Sequence, residues 1–148
     1  MTNLLHLRDK GLGSVPTVVT YGTFDLFHVG HVRLLKRARA LGSRLLVGVS
    51  TDEFNAKKGK RSVNSFLERC EVVAACQYVD GVFAEDCWQQ KTADILRLDA
   101  SIFTIGDDWK GHFDFLSKYC DVIYIPRTEG ISTTLIKNKH SEMMSAGW

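Results

Sequence analysis

The sequence has no apolar run long enough to span a bilayer, and its first ten residues, MTNLLHLRDK, show no apolar stretch behind a basic start. A soluble, unsecreted, cytoplasmic protein is therefore expected. Charge of one sign is also scarce: the formal net charge is +2, too small for the basic face that a nucleic-acid partner demands. The four cysteines, Cys70, Cys76, Cys87 and Cys120, form no CxxC pair and no Cys/His ligand spacing, so neither a zinc site nor a redox dithiol is indicated and no protein metal ligands are expected. No GxGxxG follows the first strand-like run. Gly59-Lys60 is followed by Arg61, with no glycine at Phe54, so the Walker pattern is missing too. Internal repeats and low-complexity tracts are absent.

What is present is a chain of 148 residues, 45% hydrophobic and 24% charged, a size and balance that suit one domain with its own core. Residues 1–16 are mixed in character and end in GLGSVP, so they are read as an N-terminal arm, with the domain proper over 17–148. From Thr17, β-rich runs alternate with helical patterns: TVVTY, then a helix over His31–Leu41, then RLLVGVS over Arg44–Ser50. Thr51–Asn64 shows neither periodicity and carries four cationic residues, reading as a mobile basic loop able to close over substrates. Ser65 and Glu68 have capping-box spacing ahead of a helix. Further strands are expected near Gly81–Ala84, Ser101–Ile105 and Asp121–Ile125, with helices near Gln89–Leu98, near Asp114–Tyr119 and from about Ser132. The alternation predicts a doubly wound, Rossmann-like α/β domain with a five-stranded parallel sheet and helices on both faces.

In such a sheet, ligands bind beyond the carboxyl ends of the strands. The first of those loops reads Gly22-Thr23-Phe24-Asp25-Leu26-Phe27-His28-Val29-Gly30-His31. Two histidines and a glycine coincide at a helix start, where unpaired N–H groups and the helix dipole favour a phosphate. A metal pair or two core histidines would be the plainer explanation, but neither accounts for the glycine and the helix start together. A second cluster, Ser132, Thr133 and Thr134 after Arg127 and Gly130, offers three hydroxyls at another helix start; an ordinary N-cap needs only one.

HVGH resembles the HxGH signature of cytidylyltransferases in the wider nucleotidyltransferase superfamily. RTEGISTT, over residues 127–134, resembles their RTxGISTT motif, and Gly106-Asp107-Asp108-Trp109-Lys110-Gly111 resembles the GDDWxG segment of the glycerol-3-phosphate-specific group. The likeness runs from about Thr17 to about Lys137. It implies transfer of a cytidylyl group from CTP to a small phosphorylated alcohol, with glycerol 3-phosphate as acceptor, giving CDP-glycerol for cell-surface polymer biosynthesis. Ethanolamine phosphate, choline phosphate, or adenylyl transfer are the alternatives. It also implies a homodimer and Mg2+ held mainly by the substrate phosphates.

By the same resemblance, His28 and His31 stabilise the transition state, and Lys58 and Lys60 hold the acceptor phosphate and the triphosphate. Arg127 and Thr128 recognise the nucleotide, and Ser132 and Thr133 hold its phosphates. Gly22, Thr23, Phe24, Asp108 and Ile131 belong with the nucleotide site, and Asp25, Arg69 and Trp88 with the acceptor. Gln77 stands where the glycerol-3-phosphate group usually carries an arginine, and is expected near the acceptor as an uncharged replacement.

Overall fold

The computed structural model describes residues 4–7, 16–127 and 133–145. Its strands are β1 (Leu4–Leu7), β2 (Thr17–Gly22), β3 (Arg44–Ser50), β4 (Gly81–Glu85), β5 (Ala100–Gly106) and β6 (Asp121–Ile125). The helices are α1 (Val29–Ala40), α2 (Asp52–Lys57), α3 (Phe66–Ala75), α4 (Gln90–Arg97) and α5 (Thr133–Ser145), with 3-10 turns at Asp107–Trp109 and Asp114–Lys118. All six strands share one sheet, in the order β1-β4-β3-β2-β5-β6.

β2 to β6 run parallel, as expected. The segment read as an arm adds a sixth strand, since β1 pairs antiparallel with the outer edge of β4. Four residues are too few to display alternation, so composition could not announce it. The basic segment 51–64 is likewise more ordered than expected. Its first half is α2, capped by the Thr51 hydroxyl, which accepts from the Phe54 N–H, with Asp52 and Glu53 favourably placed at the positive end of the helix. One and a half turns are too short to show a helical period.

Successive residues of each strand feed opposite faces. Val18, Leu45, Val47 and Val82 join Leu35 and Ala38 of α1 and Val73 of α3 in one core. Val19, Leu46, Phe83, Phe103 and Ile105 join Ile95 of α4 and Leu116 in the other. Burial on both sides explains why the strands read as nearly continuous apolar runs. The order reverses beside β2: α1 carries the chain outward to β3, whereas α4 carries it back across to β5. That switch opens a crevice above the carboxyl ends of β2 and β5.

Tyr21, near the end of β2, lies opposite Gly48 of β3 and packs edge-on against Phe83 at 5.5 Å. A Cβ on Gly48 would sit 2.5 Å from the Tyr21 ring. The ring cannot easily retreat, because its hydroxyl donates to Asp94 at 2.7 Å. Gly48→Ala is therefore expected to lower stability by about 1–3 kcal/mol through overpacking, seen as a lower urea midpoint at constant slope; an unchanged midpoint would mean that the ring moves aside freely.

Candidate active site

A cavity of about 590 Å3 fills the crevice, within the usual range for a small-molecule site. Its wall at the start of α1 is built by the two histidines. His28 is the N-cap, and its Nδ1 accepts from the Gly30 N–H at 3.0 Å. Three residues on, His31 Nδ1 accepts from the His28 N–H at 3.2 Å. The pair thus forms a reciprocal capping box in which both partners are imidazoles. The rings stack with centroids 3.8 Å apart, and Phe27 also stacks with His31, its ring centre 5.4 Å away.

Both Nδ1 atoms are acceptors, so each neutral ring carries its proton on Nε2. Burial, reinforced by Arg127, lowers the pKa of His28. Burial and the neighbouring His28 push His31 down to about 4, against a smaller pull from Asp25. At neutral pH the two rings are uncharged N–H donors. His28 Nε2 lies 3.4 Å from the Thr133 hydroxyl, which itself donates to the Asp25 carbonyl at 2.9 Å. The start of α5 is thereby fixed to the loop after β2. The Gly30 N–H is already engaged by His28 Nδ1, and both imidazoles line the cavity.

That loop is held in tension. Phe24 and Leu26 have φ of 55° and 48°, the left-handed region that side chains with a Cβ enter at a cost. Between them, Asp25 is only 5% exposed. Its carboxylate accepts from the N–H groups of Val63 and Asn64 at 2.8 and 2.9 Å and pairs with Lys137 at 3.2 Å. These bonds lower its pKa against the opposing effect of burial. Asp25 lines the cavity, but its bonds serve to anchor segment 51–64.

Arg69 shares that task. Only 1% exposed, it donates to the carbonyls of Asn64, Thr23 and Ser50 and pairs with Asp52 at 2.8 Å. It does not line the cavity, so the expected acceptor contact is replaced by a positioning role. Asn55 completes the anchorage, accepting from Thr23 and donating to Ser62. The segment read as mobile is thus latched from three sides, and it holds Lys58 and Lys60 on the cavity wall.

The expectation for Gln77 fails. It is exposed, in the turn between α3 and β4, where the neighbouring Asp80 bonds to Leu45 at the beginning of β3. That is the amino end of the sheet, opposite the cavity. Closeness in sequence to Tyr78-Val79-Asp80 carried no information about which end of a strand was meant.

Gly22, Thr23, Phe24, Trp88, Asp108, Arg127 and Thr133 line the cavity. Asp108 and Arg127 form an exposed ion pair at 3.5 Å. Thr128, Ile131 and Ser132 fall outside the described residues. The residues that sequence reasoning missed form the floor. Lys58 Nζ donates to the Ser50 hydroxyl at 3.3 Å, Ser50 donates to Glu85 at 2.6 Å, and Lys91, 1% exposed, pairs with the other Glu85 oxygen. Burial pushes Lys58 down to about 8, although Glu85 opposes it; it remains cationic at neutral pH. Burial and Asp94 keep Tyr21 protonated. The available signal was Lys91 itself, a lysine sharing the buried face of α4 with Asp94 and Ile95, where an unpaired charge is not tolerated.

Strand ends at a switch point, a two-histidine helix cap and four lysines on the cavity wall define an α/β domain with one crevice beyond its parallel strands. Comparison with known proteins gives the family: residues 19–139 match the cytidylyltransferase-like family model, and the chain belongs to that family. It is 57% identical over 120 residues to the glycerol-3-phosphate cytidylyltransferase of Bacillus spizizenii, covering 81% of this chain and 93% of that one. Identity to the enzyme of the same name from Staphylococcus aureus is 50% over 122 residues, covering 82% and 92%. With the ethanolamine-phosphate cytidylyltransferase of Dictyostelium discoideum it is 38% over 119 residues, 76% of this chain and 33% of that one. The crystal structure of a lipopolysaccharide core biosynthesis protein from Thermoplasma volcanium shares the fold, with a TM-score of 0.70 at 23% identity over 78% of this chain and all of that one.

The histidine cap has a measurable signature. A group whose folded pKa lies below its unfolded value near 6.5 is neutral in the folded state while the unfolded chain already binds its proton. The stability contributed by neutral His31 is complete above about pH 6.5 and is lost as pH falls toward 4, amounting to at most about 3 kcal/mol. His31→Asn should flatten the stability profile between pH 7 and 4 relative to the parent protein; parallel profiles would show that His31 is not held neutral.

Proposed function

We propose that this chain is a glycerol-3-phosphate cytidylyltransferase: it transfers CMP from CTP to glycerol 3-phosphate, giving CDP-glycerol and pyrophosphate. The observation that carries the reading is the neutral histidine pair at the start of α1, facing a cavity that Lys58, Lys60, Lys91, Arg127 and Lys137 surround with positive charge. Relatives of that name at 50–57% identity support the acceptor.

A phosphate monoester is already anionic at neutral pH, so its oxygen attacks the α-phosphorus without a general base. The acceptor oxygen bonds to phosphorus, the bond to the β-phosphate bridge breaks, and pyrophosphate leaves with the electron pair. The protein's work is to bring two anions together in line and to stabilise charge that grows on the equatorial oxygens. Nε2–H donors serve this purpose well: they are fixed by their Nδ1 bonds before the substrate arrives, and no proton has to move. Lys58 and Lys60, carried on the latched segment, offset the repulsion between acceptor phosphate and triphosphate. Arg127, with Thr128, holds the nucleotide, while Ser132 and Thr133 hold its phosphates.

Magnesium is proposed to arrive with the triphosphate, whose oxygens are the ligands this hard ion prefers. Among the described residues no cluster of three or more His, Cys, Asp or Glu side chains could hold a metal. No helix among them is long and apolar enough to cross a membrane. A cytoplasmic homodimer that supplies a cell-surface polymer pathway is part of the same proposal, and sedimentation equilibrium tests the dimer.

Pyrophosphate release should be seen with CTP plus glycerol 3-phosphate and be lower by at least about tenfold with ATP; equal rates would overturn the nucleotide assignment. His28→Ala and His31→Ala should each lower kcat by about 100-fold or more with folding retained, the usual consequence of losing a fixed donor at a developing charge. Near-normal turnover by either variant would remove that ring from the mechanism.

A further inference from the structure

Between the end of β4 at Glu85 and the start of α4 at Gln90, residues 86–89 make a short loop. One of them, Trp88, lines the cavity while its side chain stays 40% exposed. The indole meets Phe54 of α2 edge-on, with ring centres 5.2 Å apart, and tilts against Trp109 at 5.5 Å. It therefore touches both the segment that carries Lys58 and Lys60 and the 3-10 turn that carries Asp108. A large ring this exposed, on a loop this short, is not fixed by core packing alone, and the freedom of the loop has to be removed by other means.

A capping side chain, the usual means at a helix start, is missing here. Gln89 stands at the N-cap with helical dihedrals, φ −76° and ψ −14°, and makes no side-chain cap bond. Gln90, the first residue of α4, turns back over the loop in its place. Its Oε1 accepts from the N–H groups of Asp86 at 2.6 Å and Cys87 at 3.1 Å. Its Nε2 donates to the Ala84 carbonyl at 3.0 Å and to Asp94 Oδ2 at 2.9 Å. A primary amide has two N–H donors and room for two acceptances on its oxygen, and all four are used. Two backbone donors on one side, with a carbonyl and a carboxylate on the other, also settle which way the amide faces. Asp94 is buried and receives the Tyr21 hydroxyl on the same oxygen. One side chain thus ties the two residues that precede Trp88 to β4, to α4 and, through Asp94, to β2.

We propose that Gln90 is a positioning residue for the transfer reaction: it holds the loop after β4 so that Trp88 bridges two walls of the cavity, and it acts on turnover through Trp88. Gln90 itself does not line the cavity. Without the amide, the N–H groups of Asp86 and Cys87 turn to water, and the loop regains the freedom that the four bonds remove. Bringing two anions into line tolerates little slack in the walls that confine them. The kinetic half of the inference rests on the cytidylyl-transfer reading; the placement of Trp88 does not.

The test uses the full-length chain and Gln90→Met, which keeps the length of the side chain and removes all four bonds. With CTP and glycerol 3-phosphate, kcat/KM should fall at least about tenfold. In a background of Trp109→Phe and Trp148→Phe, where Trp88 is the remaining tryptophan, Gln90→Met should make acrylamide quenching of the indole steeper. Gln90→Glu keeps an acceptor for the loop N–H groups but loses the bonds to Ala84 and Asp94; it should move both readouts the same way and serves if Gln90→Met fails to fold. A double-mutant cycle separates this role from general support of the fold: added to Trp88→Ala, Gln90→Met should change kcat/KM by no more than about twofold. A full-sized further loss in that background, or quenching that matches the parent, would overturn the proposal. Absence of glycerol 3-phosphate turnover by the parent would defeat the cytidylyl-transfer reading instead, and the quenching would still decide whether Gln90 holds Trp88.

Discussion

The buried carboxylate of Asp25 ties together segments far apart in sequence. Its oxygens receive Val63, Asn64 and Lys137, and its own carbonyl receives Thr133. The loop after β2, the segment carrying Lys58 and Lys60, and the start of α5 thus share one anchor. Charge-assisted bonds to a buried carboxylate are short and directional, which suits a cavity whose lining comes from three separate stretches of chain. The unfavourable φ values of Phe24 and Leu26 are the strain that this arrangement sustains in order to aim Asp25 between them.

Arg69 extends the same logic. Its guanidinium bridges the ends of β2 and β3 to Asn64 and Asp52, so the latch is joined to the sheet rather than to another loop. A planar fork with several fixed donors can hold four partners at once where a lysine could not. The two buried charges therefore act as framework, and their nearness to the site in sequence reflects what they support.

The parallel sheet was legible because double-sided burial leaves continuous apolar runs, and the histidine pair because two rings and a glycine rarely coincide at a helix start. The latch was less legible. Nothing in the spacing distinguishes a carboxylate that binds a substrate from one that accepts backbone N–H groups 38 residues away. Gln77 shows the limit most clearly: proximity along the chain cannot tell the carboxyl end of a strand from its amino end. Lys91 is illegible for the opposite reason: its helix is plain in the sequence, but a charge on the buried face makes sense only beside Glu85, which a different element supplies.

The edge strand β1 deserves to be seen as a guard on β4. An uncovered outer strand offers a row of free N–H and C=O groups to any extended chain that comes near, which invites association between molecules. Leu4–Leu7 fills that row, with an irregularity between Leu4 and His6 that interrupts the ladder, a feature that adds twist and discourages further strands from stacking on. Since β4 ends in Glu85, the same four residues also keep in register the strand that delivers the carboxylate paired with Lys91. Trimming the N-terminus to the first well-patterned residue would thus change the protein's colloidal behaviour as well as its shape.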